Sequence, residues 1–171
     1  MVWDEEMLAI SQVTTSAQIN AVQELIREYT AWAFTFLPDA NQAPTFQGLE
    51  QELTALPGIY APPAGRLLLA IHDGQPAGCI ALKSHDAKTG ELKRLYVRPR
   101  LRGLNIGWLL VSALVEEARQ SGYKRLVLDS HIFMTKALEI YRAAGFRPVS
   151  TPSDFPEVLK PVVVVMELVI E

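Results

Sequence analysis

The period of the apolar positions changes several times along the chain, and each change marks an element. Met7 to Val13 alternates loosely, which predicts a first strand at a sheet edge. Thr15-Ser16-Ala17-Gln18 reads as a capping box, with threonine at the cap and glutamine three residues on. Ile19, Val22, Ile26, Tyr29 and Ala33 then recur at helical spacing, and Leu25, Trp32 and Phe36 widen the same face. They predict a helix from about Ser16 to Phe34, ended by Pro38. Leu49, Leu53 and Leu56 predict a shorter helix from Thr45 to Leu56, closed by Pro57-Gly58. The proline-rich stretch Leu56 to Gly65 is a connector.

Beyond it the period falls to two. Arg66 to His72 and Pro76 to Lys83 flank Asp73-Gly74, a dipeptide that favours a tight hairpin, and Lys83 to Gly90 turns into a third antiparallel strand ending near Val97. Pro99 stops that strand. Ile106, Leu110, Ala113, Leu114 and Ala118 share one face of a helix from Ile106 to Gln120, with Glu116, Glu117 and Arg119 on another and Gly122 at its end. Arg125 to His131 is the next strand; its connection runs through a helix, so it lies parallel to the previous one. A short helix from Ala137 to Ala144 ends at Gly145, Phe146 to Val149 begins another strand, and Pro152 to Pro161 is an irregular loop. Val162 to Ile170 is expected to be a final, well-buried strand. The order β–α–α–β–β–β–α–β–α–β–β predicts one α/β (mixed α+β) domain over 1–171, with a mostly antiparallel mixed sheet under packed helices. A doubly wound dinucleotide fold needs alternating βα units and the full G-x-G-x-x-G, and the chain has neither.

Composition narrows the class. A chain of 171 residues, 49% apolar and 20% charged, suits a single soluble globular domain. A net charge of −3 argues against a general nucleic-acid binder. The single cysteine, Cys79, lies in an apolar run and reads as a buried structural thiol in a reducing compartment. Met1 to Met7 is acidic, with no charged-then-apolar leader. The run from Pro161 to Ile170 is too short to span a bilayer and contains Glu167, so a cytoplasmic protein without a membrane partner is expected. No His/Cys/carboxylate spacing suggests a metal.

The charge is unevenly spread. Lys93, Arg94, Arg98, Arg100 and Arg102 crowd into one stretch of an acidic chain, E-L-K-R-L-Y-V-R-P-R-L-R-G-L-N-I-G-W. Strand, glycine-containing basic loop, then helix is the arrangement in which free N–H groups at a helix start receive an anion. An ordinary β-to-α turn with surface arginines accounts for the glycine but not for the cations.

Three linked pieces resemble a known family. The loop R-G-L-N-I-G, Arg102 to Gly107, resembles the pyrophosphate loop of the GNAT superfamily of acyl-CoA-dependent N-acyltransferases, written Arg/Gln-x-x-Gly-x-Gly/Ala. The strand E-L-K-R-L-Y-V before it resembles the strand that flanks the thioester. The helix A-L-E-I-Y-R-A-A-G-F, Ala137 to Phe146, resembles the late motif of a tyrosine followed by Gly-Phe. The resemblance spans roughly Glu91 to Phe146 and implies a GNAT-like domain, with about seven strands flanked by about four helices. It implies an acceptor side over 1–65, an acyl-CoA-binding core over 66–150 and a closing loop and strand over 151–171. Two positions depart from the pattern. Asn105 stands where the family has its middle loop glycine, and Met134 where many relatives carry asparagine. Asparagine tolerates the left-handed region better than any residue but glycine, so the loop shape survives.

What the resemblance implies is chemistry with acetyl-CoA (released as coenzyme A) as cosubstrate and no metal. Its pyrophosphate would lie on the N–H groups of Gly103, Leu104, Asn105, Ile106, Gly107 and Trp108, with Arg100 and Arg102 adding charge-assisted bonds. Its pantetheine arm would run along Leu95, Tyr96 and Val97, where a backbone donor polarises the thioester carbonyl. Tyr141 is the candidate acid for the departing thiolate, and Ala137 one turn earlier leaves room for the cofactor. Glu91, eleven residues before Arg102, stands where some branches carry a general-base glutamate; a solvated hairpin-end carboxylate explains it equally well. His131, His72, Ser130 and Thr135 are secondary candidates. The acceptor side would be built by the two N-terminal helices and the loop of Asp154 and Glu157, which with Glu91 would attract a cationic amine. The expected activity is acetyl transfer from acetyl-CoA to a primary amine of a small molecule or peptide, by direct attack in a ternary complex. The alternative is a non-catalytic acyl-CoA-binding sensor or interaction module. A homodimer formed through the valine-rich last strand stays open.

Overall fold

The computed structural model describes residues 7–36 and 46–171; the expected helix stop at Pro38 and helix start at Thr45 lie outside them. The strands are β1 (Leu8–Gln12), β2 (Arg66–His72), β3 (Gln75–Ser84), β4 (Thr89–Val97), β5 (Arg125–His131), β6 (Arg147–Val149) and β7 (Val163–Val169). The helices are α1 (Ser16–Phe36), α2 (Leu49–Ala55), α3 (Ile106–Gln120) and α4 (Thr135–Ala143). They form one seven-stranded sheet in the order β1-β2-β3-β4-β5-β7-β6. Every neighbouring pair is antiparallel except β4 and β5. The single parallel pair is the one joined through α3, as the helical crossover requires.

Local chemistry explains the boundaries. At the start of α1, Gln18 Oε1 accepts the N–H groups of Thr14 and Thr15 at 2.8 and 3.0 Å, while Thr15 Oγ1 accepts the Gln18 N–H at 3.2 Å. Asp73 and Gly74 adopt φ of 49° and 76°, which lets His72 pair directly with Gln75. Helix α2 is shorter than expected, because Gly48 in the left-handed region precedes it. No helix among the described residues is long and apolar enough to cross a membrane.

Two cores sandwich the sheet. Helices α3 and α4 pack on one face over Leu68, Ile80, Leu82, Leu92, Leu126 and Met166. Helices α1 and α2 pack on the other over Leu67, Leu69, Cys79, Ala81 and Tyr96. Burial pushes the Cys79 thiol up to about 12, so this cysteine is structural. Leu92 and Tyr96 lie on opposite faces although an even spacing would put them on one. The reason is a bulge in β4: Cys79 pairs with Tyr96 and Ala81 with Lys93, and Arg94 takes φ 61°. One inserted residue reverses the alternation beyond it.

Strand β7 corrects an expectation. It is an interior strand, but only Met166 is buried and Val169 is 64% exposed. The α1–α2 layer covers β2, β3 and β4, so the outer face of β7 lacks that cover. Both of its edges are occupied, by β5 and by β6 at residues 165–167, so it cannot pair across a two-fold there without displacing β6.

Candidate active site

The parallel ladder between β4 and β5 has three rungs, Thr89–Arg125, Gly90–Leu126 and Glu91–Val127, and stops. Beyond Glu91 the strands diverge, leaving the β5-facing edge of Lys93 to Val97 without a ladder partner. A cavity of about 520 Å³ fills the gap. Leu95, Tyr96 and Val97 line it from β4; Arg102, Gly103 and Asn105 to Trp108 from the loop and α3; Asp129, Ser130 and His131 from β5; Ala137, Ile140 and Tyr141 from α4. On the α1 side Tyr29, Trp32 and Phe46 close it. It therefore opens toward both faces of the sheet.

The loop before α3 presents backbone donors. Asn105 is the N-cap at φ 66° and ψ 14°, and no side chain caps the helix, so its first N–H groups are left facing the cavity end. Gly103 has φ 89° with nothing within 4 Å of an added Cβ; it serves the backbone angle rather than space. Gly107 is different. An added Cβ there would stand 2.8 Å from Ile140 Cδ1, so the Ile140 side chain of α4 would have to shift to admit it.

Tyr141, Asp129, Lys93 and His131 line the gap with shifted protonation. Burial raises the Tyr141 hydroxyl well above the ordinary tyrosine value, and nearby Tyr29 and Asp129 raise it further. Burial likewise holds the Asp129 carboxyl above the usual carboxylate range, with Lys93 opposing and Glu91 adding to the rise. Lys93 is itself lowered, by burial first. His131 also lines the cavity, and burial lowers its imidazole. Its Nδ1 accepts the Phe133 N–H at 3.2 Å, which puts the neutral ring's proton on Nε2 and leaves that nitrogen a donor rather than a base.

The model of the Acetyltransferase (GNAT) family matches residues 21–146. The chain belongs to the GNAT acetyltransferase family. It is 32% identical over 142 residues to an uncharacterized N-acetyltransferase of Schizosaccharomyces pombe, covering 82% of this chain and 83% of that one. It is 31% identical over 128 residues to an IAA acetyltransferase of Azospirillum brasilense, covering 74% and 77%. The fold matches that of the PaiA N-acetyltransferase of Thermoplasma acidophilum, solved in complex with coenzyme A, with a TM-score of 0.71, 19% identity and coverage of 95% and 99%.

Within this GNAT domain the five crowded cations do not converge on the loop. Arg94 is turned to α2, its Nε 2.8 Å from Glu52 Oε2 and its Nη2 3.0 Å from Glu52 Oε1. Arg98 is held by Glu28 at 3.0 and 3.1 Å and by Glu24 at 3.4 Å. Lys93 lies 3.9 Å from Glu91. Arg102 donates from Nε to the Val97 carbonyl at 3.1 Å and lies over Trp32 and Tyr96. Arg100 and Leu104 are exposed and outside the cavity lining. Four of the five cations reach carboxylates or rings outside the loop amides rather than one shared point.

Three carboxylates named from the sequence lie outside the cavity lining. Glu91 sits at the last rung of the ladder, bound to Lys83 at 3.4 Å and to Lys93, and does not line the cavity. Asp154 and Glu157 are exposed and away from the cavity, with Glu157 paired to Lys160; the loop contributes Leu159 instead. His72 is paired with Asp73 at the hairpin. Sequence reasoning passed over Asp129. The available signal was a lone acid inside the apolar run L-V-L-D-S, where a buried charge demands a reason.

Proposed function

We propose that the chain moves the acetyl group of acetyl-CoA to a primary amine of a small molecule or peptide, by direct attack within a ternary complex. The observation that carries this reading is the gap between β4 and β5, with Asp129 on one wall and Tyr141 on the other. Family membership and the N-acetyltransferase relatives support the class of reaction.

The residues present fit the donor. The uncapped N–H groups at the start of α3 suit a pyrophosphate, and the free edge of Lys93 to Val97 suits the amide groups of a pantetheine arm. A backbone N–H on that edge would stabilise charge developing on the thioester oxygen. In the reaction the amine nitrogen bonds to the carbonyl carbon as the carbon–sulfur bond breaks. One proton leaves nitrogen and one reaches sulfur.

In this reading Asp129 takes the first proton. A carboxylate held above its usual range is a stronger base than an exposed one, and it must still be ionised to act. Tyr141, kept protonated by burial, gives the second to the departing thiolate. Glu91 becomes a positioning residue that steadies Lys93 beside Asp129. Thiol release from acetyl-CoA over a panel of primary amines tests the proposal, with the N-acetylated product identified by mass spectrometry. Release matched by product is expected. Tight coenzyme A binding without turnover on any amine would favour the non-catalytic module instead.

A further inference from the structure

The gap between β4 and β5 has a closed end and an open one. It closes at the rung Glu91–Val127, and Lys93 and Asp129 stand two residues beyond that rung on opposite walls. It opens toward Val97, where the loop and the uncapped N–H groups of α3 line the cavity. A donor held by its pyrophosphate at the loop runs its pantetheine arm inward along β4, so the thioester at the tip points toward the closed end. Lys93 stands on that path. The bulge at Arg94 turns it to the α1 face together with Tyr96, although the two are an odd number of residues apart.

Lys93 and Lys136 both line the cavity, but they differ in setting. Lys136 is 86% exposed on α4, whereas the Lys93 side chain is 13% exposed. Lys93 is also loosely held. Its nearest carboxylate, Glu91, is shared: Lys83 lies 3.4 Å from one oxygen and Lys93 3.9 Å from the other. Burial is the largest influence on the Lys93 ammonium and lowers it, which favours the neutral, nucleophilic amine. We propose that Lys93 is a self-modification site, whose Nζ takes the acetyl group of bound acetyl-CoA when no other amine occupies the gap. This rests on the acetyl-transfer reading above. The bond from Nζ to the carbonyl carbon forms as the carbon–sulfur bond breaks. Asp129 takes the proton that leaves nitrogen and Tyr141 gives one to sulfur, so the products are N-acetyl-lysine and free coenzyme A.

The full chain, shown by intact mass to carry no acetyl group, is incubated with saturating acetyl-CoA and no amine, beside a coenzyme A control. Intact mass and peptide mapping then follow the adducts. One acetyl group per chain is expected on Lys93, forming about 100-fold faster than on the exposed Lys136, because nucleophile and thioester share one site. The rate per molecule should hold on about tenfold dilution of the protein with acetyl-CoA kept saturating. Lys93→Arg should leave only the slow background on exposed lysines. Modification of Lys93 no faster than that of Lys136 overturns the proposal, and so does a rate that falls with dilution. Calorimetric titration of coenzyme A and the panel of added amines separate this site from the reading it rests on. Lys93 left unmodified in protein that acetylates an added amine sinks the self-modification and leaves acetyl transfer standing. Lys93 modified in protein that acetylates no added amine supports the site and removes only the amine acceptor. Lys93 unmodified in protein that binds no coenzyme A removes the donor site, and both readings with it.

Discussion

Lys93 and Asp129 face each other across the opening of the sheet, each two residues past the last rung of the β4–β5 ladder, Glu91–Val127. The end of that ladder, beyond which the strands part, leaves the pair facing the opening. Lys93 shares the α1 face with Ala81, and Asp129 lies opposite in face to the buried Leu128. Charge on one favours charge on the other, and burial opposes both.

Activity should therefore rise with pH through the Asp129 ionisation, at a pH above the ordinary carboxylate value. Lys93 lowers that pKa, so Lys93→Met should move the acid limb of kcat/KM upward. A pH profile of the two proteins reads this directly; coincident limbs would detach Lys93 from the site.

The same group makes a stability prediction of opposite sign. A carboxyl whose folded pKa is raised binds its proton more tightly when folded. Its ionisation cost is absent below the unfolded pKa and is complete above the folded one. Asp129→Asn should thus leave Tm at pH 8 equal to or above that of the wild type while kcat falls about 100-fold or more. Thermal melts at pH 5 and pH 8 check the sign, since any gain should be larger at pH 8.

Glu52 is expected to matter for folding. It accepts from Arg94, whose side chain is 1% exposed, and from the Tyr60 hydroxyl at 2.9 Å. Glu52→Ala leaves a buried guanidinium without this carboxylate and should cost about 2–4 kcal/mol, or roughly 5–12 °C in Tm. Glu52→Gln, which keeps an acceptor, should cost less. Chemical denaturation of the three proteins would show an unchanged midpoint if the pair were idle.

Asn105 holds a left-handed N-cap that other residues enter at about 1–2 kcal/mol. Asn105→Gly should preserve stability and keep the coenzyme A Kd within about 3-fold, whereas Asn105→Val should raise it by about 10-fold. Calorimetric titration distinguishes them. Equal affinity in the valine variant would remove the loop amides from the donor site.

Much of the frame was legible because it depends on short-range chemistry. The capping box of α1, the Asp73-Gly74 hairpin, the bounds of α3 and β5 and the αL stop at Gly145 each follow from a few adjacent residues. Of the proposed site, the sequence pointed only to the local parts, the loop and Tyr141. The bulge at Arg94 has no signature in E-L-K-R-L-Y-V, yet it decides which face Tyr96 takes. Arg94 and Arg98 looked like anion ligands because their partners, Glu52, Glu24 and Glu28, are far away in sequence. Asp129 looked like an ordinary strand residue, since the role proposed for it depends on where a neighbouring ladder ends.

The account is tested most directly by kcat for thiol release in Tyr141→Phe, measured beside the Kd for coenzyme A. The hydroxyl is assigned to the departing sulfur, so kcat should fall about 100-fold while Kd stays within about 3-fold. A variant that releases thiol at the wild-type rate would contradict the assignment of the gap between β4 and β5 as the place of transfer.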